Sequence, residues 1–250
     1  MTVEERRENI LRIIEDKKKI RVSELKELFN KSNVTIGNDL AVLEKQGYII
    51  KNFGYAEIRK AAVLSSEDKI ENYEEKKRIA KYAAKLIPDN SSVMLYTSSS
   101  VLVLSRMIKG INNINIVTNS FKIAHEVSTN LDARVILVGG YYRLDNQSTF
   151  GDIAEAQLKT YNCDMLFFTT NGVSAVGGLT IDEPYERGMN LTMLESSMKK
   201  ILLADGSKIG KMRFVPVSPL TAVDLIITDK SAPKAEIMRI RELGVKIDVV

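Results

Sequence analysis

From about residue 90 to residue 250, short and almost uninterrupted apolar runs alternate with longer amphipathic segments. The runs are "SVMLY", "INIVT", "ARVILVGG", "CDMLFFTT", "KILLAD", "DLIIT" and "KIDVV". A strand with one wet face would alternate apolar and polar residues; runs apolar at consecutive positions are buried on both faces. The segments between them, among them "SSSVLVLSRMIKG", "SFKIAHEVST", "DIAEAQLKTY", "YERGMNLTMLESSM" and "KAEIMRIREL", carry helical spacing. Strand–helix alternation of this kind predicts an α/β domain over residues 74–250 with a mostly parallel sheet covered on both sides.

Ligands of such sheets bind beyond the carboxyl ends of the strands. Those ends read "YTSSS" (Tyr96, Thr97, Ser98, Ser99, Ser100), "GGYYR" (Gly139, Gly140 to Arg143), "TTNG" (ending Asn171, Gly172) and "ADGSKIG", which holds Lys208. The serine run opens a helix, so its backbone N–H groups and hydroxyls can cradle a phosphate. Lys208 can add a point charge and Arg143 a bidentate one. The chemistry suits a small phosphorylated, polyhydroxylated ligand. Plain helix capping by "TSSS" and a tight turn at "VGG" remain the alternatives.

The first sixty residues form a different module. Ile10, Leu11, Ile13 and Ile14 mark a first helix. "ELKELF" continues a second from an N-cap at Ser23, and Asn30 ends it. Ser32 caps a third, whose apolar face is Ile36, Leu40 and Leu43 and whose C′ residue is Gly47. The run "KKKI" breaks the pattern after the first helix, and residues 48–51 and 56–59 read as a hairpin turning at Gly54. Three helices and a hairpin make a winged helix-turn-helix, which lays its second motif helix in the major groove; protein-interaction modules share the shape. The side of the third helix opposite its apolar face holds Val34, Asn38, Ala41 and Lys45, with Gly37 on the flank. Asn38 can pair with an adenine edge, and Val34 or Thr35 can meet a thymine methyl. Phosphates would be met by Arg6, Arg7, Lys31, Lys45, Lys51 and the wing at Tyr55, with Ser32 and Asn33 at the start of the helix joining the expected DNA contacts.

Residues 61–73 are polar at their centre and read as a linker. Residues 1–60 carry 13 Lys/Arg against 10 Asp/Glu, so most of the net charge of +4 lies in the small module, as suits a nucleic-acid partner. One cysteine, Cys163, excludes an intrachain disulfide and is expected to pack at a strand edge; the acidic residues are too scattered for a metal site. No apolar run approaches the roughly 18 residues of a membrane span, and the charged start "MTVEERRENI" is no secretory signal, so a cytoplasmic location is expected. No Walker loop or GxGxxG is present, no cofactor is expected, and the sole histidine, His125, sits on a helix flank.

The whole chain resembles the DeoR family of bacterial transcriptional regulators. The resemblance is carried by "RRENILRII", "VSELKELF", "SNVTIGNDLAVLEKQGYI", "EKKRIAKYAAKLI", "IVTNS", "VILVGGYYR", "GGLT" and "LLADGSKIG", in order from residue 6 to about residue 228. It implies a sensor domain of sugar-phosphate type, related in fold to ribose-5-phosphate isomerase, governing a DNA-binding head. It also implies a homo-oligomer (dimer or tetramer), a double-stranded DNA operator, and usually repression of carbohydrate uptake or catabolic genes.

The departures from the family pattern are specific. Gly37 and Asn38 stand where the family usually has two arginines, while Thr35, Ile36, Asp39 and Leu40 match. Phe53, Gly54, Tyr55 and Ala56 stand for a His-Gly-Gly-Ala wing. In the sensor, residues 96–100 replace an Asp-Ser-Gly-Thr-Thr loop and Asn171-Gly172 an Asp-Gly pair. Glu186 is kept, Asn190 replaces a lysine, and Lys208 is kept. Loss of two acids and one base allows a different ligand or a sensor that has lost binding. An isomerase would need a carboxylate base near the carbonyl; Tyr96 and Asn171 cannot serve, Asp205 and Glu186 remain, and the expected function is regulatory rather than enzymatic.

Overall fold

The computed structural model describes residues 2–45, 48–58 and 70–250. The chain divides into two compact units, Met1–Lys69 and Ile70–Val250.

In the first unit, helix α1 (Val3–Lys17) starts with a capping box in which Thr2 and Glu5 satisfy each other's backbone N–H groups. Strand β1 (Lys19–Arg21), helices α2 (Val22–Phe29) and α3 (Asn33–Lys45), and strands β2 (Ile49–Asn52) and β3 (Tyr55–Ile58) follow. Ile10, Ile14, Ile20, Leu25, Ile36, Leu40, Leu43, Ile49 and Ala56 form one core. The run expected to interrupt structure after α1 is instead an edge strand. Ile20 points inward, and β1 pairs antiparallel with β3 in a sheet of order β1-β3-β2. Helix α2 begins at Val22 rather than after a Ser23 cap, because the Val22 N–H bonds to the Gly54 carbonyl of the wing at 2.9 Å and needs no side-chain cap. Asn30 ends α2 in the left-handed conformation, as its position suggested. The expected helix end at Gly47 and the end of the hairpin at Arg59 lie outside the described residues, as do residues 61–69 of the expected linker.

The second unit opens with α4 (Tyr73–Ala84). Its sheet contains β4 (Ser92–Leu95), β5 (Ile114–Thr118), β6 (Ala133–Leu137), β9 (Cys163–Phe168), β12 (Ser197–Leu203), β14 (Leu225–Thr228) and β15 (Ile247–Val249). Their order is β15-β14-β12-β9-β4-β5-β6, and every pair is parallel. Successive strand residues face opposite sides: Met94, Leu166, Phe168, Leu202 and Ile226 belong to one core, and Val93, Leu95, Met165, Phe167, Ile201, Leu203 and Ile227 to the other. Helices α4, α5 (Ser99–Met107) and α6 (Phe121–Asn130) cover the second core through Ile79, Val101 and Ile123. Helices α7 (Asp152–Leu158), α8 (Glu186–Glu195) and α9 (Lys234–Glu242) cover the first through Leu158, Met189 and Ile240.

Two additions were not legible as strands: a hairpin of β7 (Tyr141–Arg143) and β8 (Ser148–Phe150), and an antiparallel sheet of β10 (Gly172–Ser174), β11 (Gly178–Ile181) and β13 (Val215–Ser218). Cys163 is buried at the start of β9, an interior strand rather than an edge, and burial pushes its thiol up to about 11, so it is a packing residue. Among the described residues no helix is long and apolar enough to cross a membrane, and no cluster of potential metal ligands occurs.

Candidate nucleic-acid interface and ligand site

Helix α3 buries Ile36, Asp39, Leu40 and Leu43, and exposes Asn33, Val34, Asn38, Ala41 and Lys45. The exposed set contains the face opposite the apolar stripe, as the spacing predicted. Ser32 accepts the Thr35 N–H at 3.2 Å and its hydroxyl lies 3.0 Å from that of Thr35, so this pair fixes the helix start. A side chain added at Gly37 would meet nothing within 4 Å, so packing within the unit does not require glycine there. Lys31 and Lys51 are exposed, and the Lys51 backbone N–H is anchored on Glu44 at 2.9 Å.

Arg6, expected on phosphate, is buried instead. Its Nε and Nη2 donate to the two oxygens of buried Asp39 at 2.6 and 3.2 Å, and Arg7 Nε adds a third bond at 3.0 Å. The ion pair ties α1 to the middle of α3. Arg6 lies one and two helical steps before Ile10 and Ile14 on the same stripe, a spacing that could have placed it inward.

The wing supplies cations that sequence reading missed. Lys19 Nζ lies 4.7 Å from the centre of the Tyr55 ring and pairs with Glu57, and Arg21 Nε donates to the Tyr55 hydroxyl at 2.8 Å. Tyr55 therefore gathers β1 cations onto the wing rather than presenting a free phenol.

In the second unit, Tyr96 to Ser100, Gly139, Asn171 and Lys208 follow the carboxyl ends of strands, while Glu186 and Asn190 lie on α8; hydrogen bonds set Tyr96, Glu186 and Asn190 in one group and Lys208 in another. Ser98 caps α5, accepting the Val101 N–H at 3.1 Å, and Thr97 N–H is held by the buried side chain of Asn119 at 3.0 Å. Ser99 is half-buried, and Ser100 is buried with a hydroxyl that has no partner among the described residues. The buried Tyr96 hydroxyl donates to Glu186 at 3.2 Å and receives the Asn190 amide at 3.3 Å. The Asn190 carbonyl oxygen is buried and unpartnered among the described residues. Burial pushes the Glu186 carboxyl up, against the opposing pull of Tyr96 and Arg143; burial, and then Glu186, drive the Tyr96 phenol well above its ordinary value.

Lys208 belongs to the second group. Its Nζ donates to Thr169 Oγ1 at 3.0 Å, and among the described residues it has no carboxylate within ion-pair distance. Burial lowers its ammonium to about 8, with Asp205 opposing the shift. Asp205 is committed elsewhere: its Oδ1 accepts from Asn72 at 3.2 Å and from the Ser207 N–H at 3.1 Å, and Lys76 lies 3.9 Å from its Oδ2. Asn171 accepts the Asp182 N–H at 3.3 Å, and Arg213, another residue not foreseen, lies 3.8 Å from Asp182.

Three expected ligand residues have other occupations. Arg143 is bound in bidentate fashion to Asp145 and lies 4.3 Å from the Tyr185 ring centre, so its fork is not open. A Cβ at Gly140 would come within 2.7 Å of the Phe150 carbonyl, and one at Gly172 within 2.6 Å of the Lys211 carbonyl. Those glycines are required by close backbone approach. Gly139 remains exposed, its N–H bound to Gln157 at 2.8 Å. Two cavities of about 490 and 440 Å³ lie elsewhere, beside Gly177 and Leu220 and beside Gly206 and Glu236, and neither is lined by Ser98, Glu186 or Lys208.

Residues 71–230 match the DeoR C terminal sensor domain and residues 6–62 the DeoR-like helix-turn-helix domain. The chain is 29% identical to the putative aga operon transcriptional repressor of Escherichia coli O157:H7, covering 98% of this chain and 93% of that one. It is 31% identical to the HTH-type transcriptional regulator YulB of Bacillus subtilis, over 100% and 98%. Identity to the glycerol-3-phosphate regulon repressor of Escherichia coli K12 is 26%, over 92% of each. Among solved structures, ribose 5-phosphate isomerase A of Methanocaldococcus jannaschii is similar at a TM-score of 0.40 and 16% identity, over 55% of this chain and 54% of that one. A likeness that distant says nothing of ligand or activity. With both family domains matched in order, on a winged head and a parallel α/β unit, this chain belongs to the DeoR family of DNA-binding transcriptional regulators.

Proposed function

We propose that this regulator is a cytoplasmic homo-oligomeric repressor controlled by a small phosphorylated sugar or polyol. In this reading the exposed face of α3, with Asn38 foremost, reads the operator's major groove while Lys31, Lys45 and Lys51 hold phosphates. The effector's phosphate is bound by Lys208 and the loop of Ser98, Ser99 and Ser100, with Tyr96, Glu186 and Asn190 facing its hydroxyls.

The observation that carries the ligand reading is Lys208: a largely buried ammonium whose one hydrogen-bond acceptor among the described residues is a threonine hydroxyl. Ligand charge would offset the cost of its burial. The unpartnered Ser100 hydroxyl and Asn190 oxygen are further groups that a polar ligand would satisfy. The relative named for a glycerol-3-phosphate regulon supports the phosphorylated class. Asp205, three residues before Lys208, also holds Asn72 and Lys76 at the start of α4.

A second reading, a DNA-binding regulator that senses no ligand, is favoured by Arg143 being closed on Asp145 and by Tyr96, Glu186 and Asn190 bonding one another. Thermal unfolding with glycerol 3-phosphate, hexose 6-phosphates, inorganic phosphate and the unphosphorylated parents separates the two. Stabilisation by phosphorylated compounds, lost in Lys208→Met, supports the sensing reading; no shift with any of them supports the second.

A further inference from the structure

We propose that Phe53 at the tip of the wing is a minor-groove wedge, entering beside the major-groove contacts of α3 and adding specificity for a deformable base step. The inference rests on the first unit being a DNA reader.

Phe53 and Gly54 form the two-residue turn between β2 and β3, since Asn52 pairs with Tyr55. Both have positive φ, 36° and 82°. Such turns favour Asn, Asp or Gly at both positions, and a bulky aromatic at positive φ is strained. Turn formation therefore does not account for the phenylalanine. Nor does packing: Phe53 is the most exposed large apolar side chain among the described residues, at 104% relative accessibility. An aromatic ring kept in water on a strained turn points to a role outside the unit.

The surroundings identify the partner as duplex DNA. Lys51 lies two residues before the ring, and Lys19 and Arg21 gather on Tyr55 two residues after it. Glu57 is paired with Lys19, which leaves Lys51, two residues before the ring, and Arg21, held on the Tyr55 hydroxyl, as the cations on the strands beside the apolar tip. That is the composition of a minor-groove wedge, in which cations hold the two phosphate strands while an apolar side chain pries at a base step. The tip is also braced, because the Gly54 carbonyl accepts the Val22 N–H at 2.9 Å and so fixes the turn to the start of α2. A wedge seated this way would be read through pyrimidine–purine steps, the steps that unstack most readily.

The test is selection of bound sequences from a pool of random duplexes with the full-length wild-type chain, Phe53→Asn and Phe53→Trp. Asparagine relieves the positive φ, so Phe53→Asn should unfold no earlier than wild type. Wild type and Phe53→Trp are expected to enrich a major-groove element plus a pyrimidine–purine step at fixed spacing. Phe53→Asn is expected to keep the first element, lose the second and bind the wild-type sequence about tenfold more weakly. Retention of both elements by Phe53→Asn with affinity within twofold, or enrichment of a single element by wild type, overturns the wedge and leaves α3 as the reader. If wild type enriches no sequence, specific reading of DNA by this chain fails and the wedge falls with it.

Discussion

Arg6 in the first unit and Lys208 in the second are both cations drawn out of water, and they are treated in opposite ways. Arg6 meets Asp39 through two hydrogen bonds, and Arg7 adds a third. Among the described residues, the Lys208 ammonium meets only Thr169. A buried charge with a dedicated carboxylate is part of the scaffold, and here it ties α1 to the middle of α3. A largely buried charge with no carboxylate partner lowers stability unless something else supplies the anion. The head is thus internally complete and the sensor is not, as expected if one surface must be rigid and the other must answer to a ligand.

The largest effect is expected from breaking the completed pair. Asp39→Ala leaves two guanidinium groups without their partner and should destabilise the first unit by about 3–5 kcal/mol, seen as an early separate transition in thermal unfolding. An unchanged unfolding profile would mean that the pair is peripheral. Asn38→Ala should cost about 1–3 kcal/mol against the selected duplex and relax base preference at one position, measured by binding to single-base variants. Equal loss on every variant would reassign Asn38 to the phosphate backbone.

The incomplete site can be sharpened by pH. The folded value for Lys208, about 8, lies below the 10.5 of an ordinary lysine. Without ligand, the unfolded chain holds the extra proton between those values, so stability should rise from pH 8 to 10.5 and the penalty is fully present below pH 8. A bound phosphate raises the folded value, so ligand affinity should be maximal between about pH 6, where the phosphate takes up a proton, and pH 8, and fall by up to about tenfold per pH unit above it. A flat profile, or the same profile in Lys208→Met, would remove Lys208 from the site. The smallest effect belongs to Gly37→Ala. With no atom within 4 Å of the added methyl, the change should stabilise α3 by about 1 kcal/mol while weakening DNA binding if close approach matters. Stabilisation with unaltered binding would show that the helix does not use the space.

The same contrast explains what was legible in the sequence. The seven parallel strands and the helices between them could be read, because burial on both faces writes itself as contiguous apolar runs. The exposed face of α3 could be read from period alone. Strands without a contiguous apolar run, such as Lys19–Arg21 and Gly178–Ile181, could not, since tertiary pairing rather than local pattern creates them. Partnerships across the chain were also invisible. Nothing near Arg6 announces Asp39, 33 residues away, and nothing near Lys208 announces that Asp205 is bound to Asn72 and Lys76. Arg143 looked open because its captor, Asp145, sits only two residues on, in a hairpin with no strong strand signal. Gly140 and Gly172 looked like ligand loops, but they are crowded by backbone from elements distant in sequence or too short to foresee.

The most direct test of the account is the fluorescence anisotropy of a labelled duplex, taken from the selection, bound to the wild-type chain and to Lys208→Met. Phosphorylated sugars or polyols, but not their unphosphorylated parents, should change the affinity of the wild-type chain for the duplex by at least about tenfold. Lys208→Met should bind the same duplex equally well and ignore every compound. A wild-type affinity indifferent to all of them, or an identical response in Lys208→Met, would contradict the claim that this largely buried lysine is where the regulator reads its ligand.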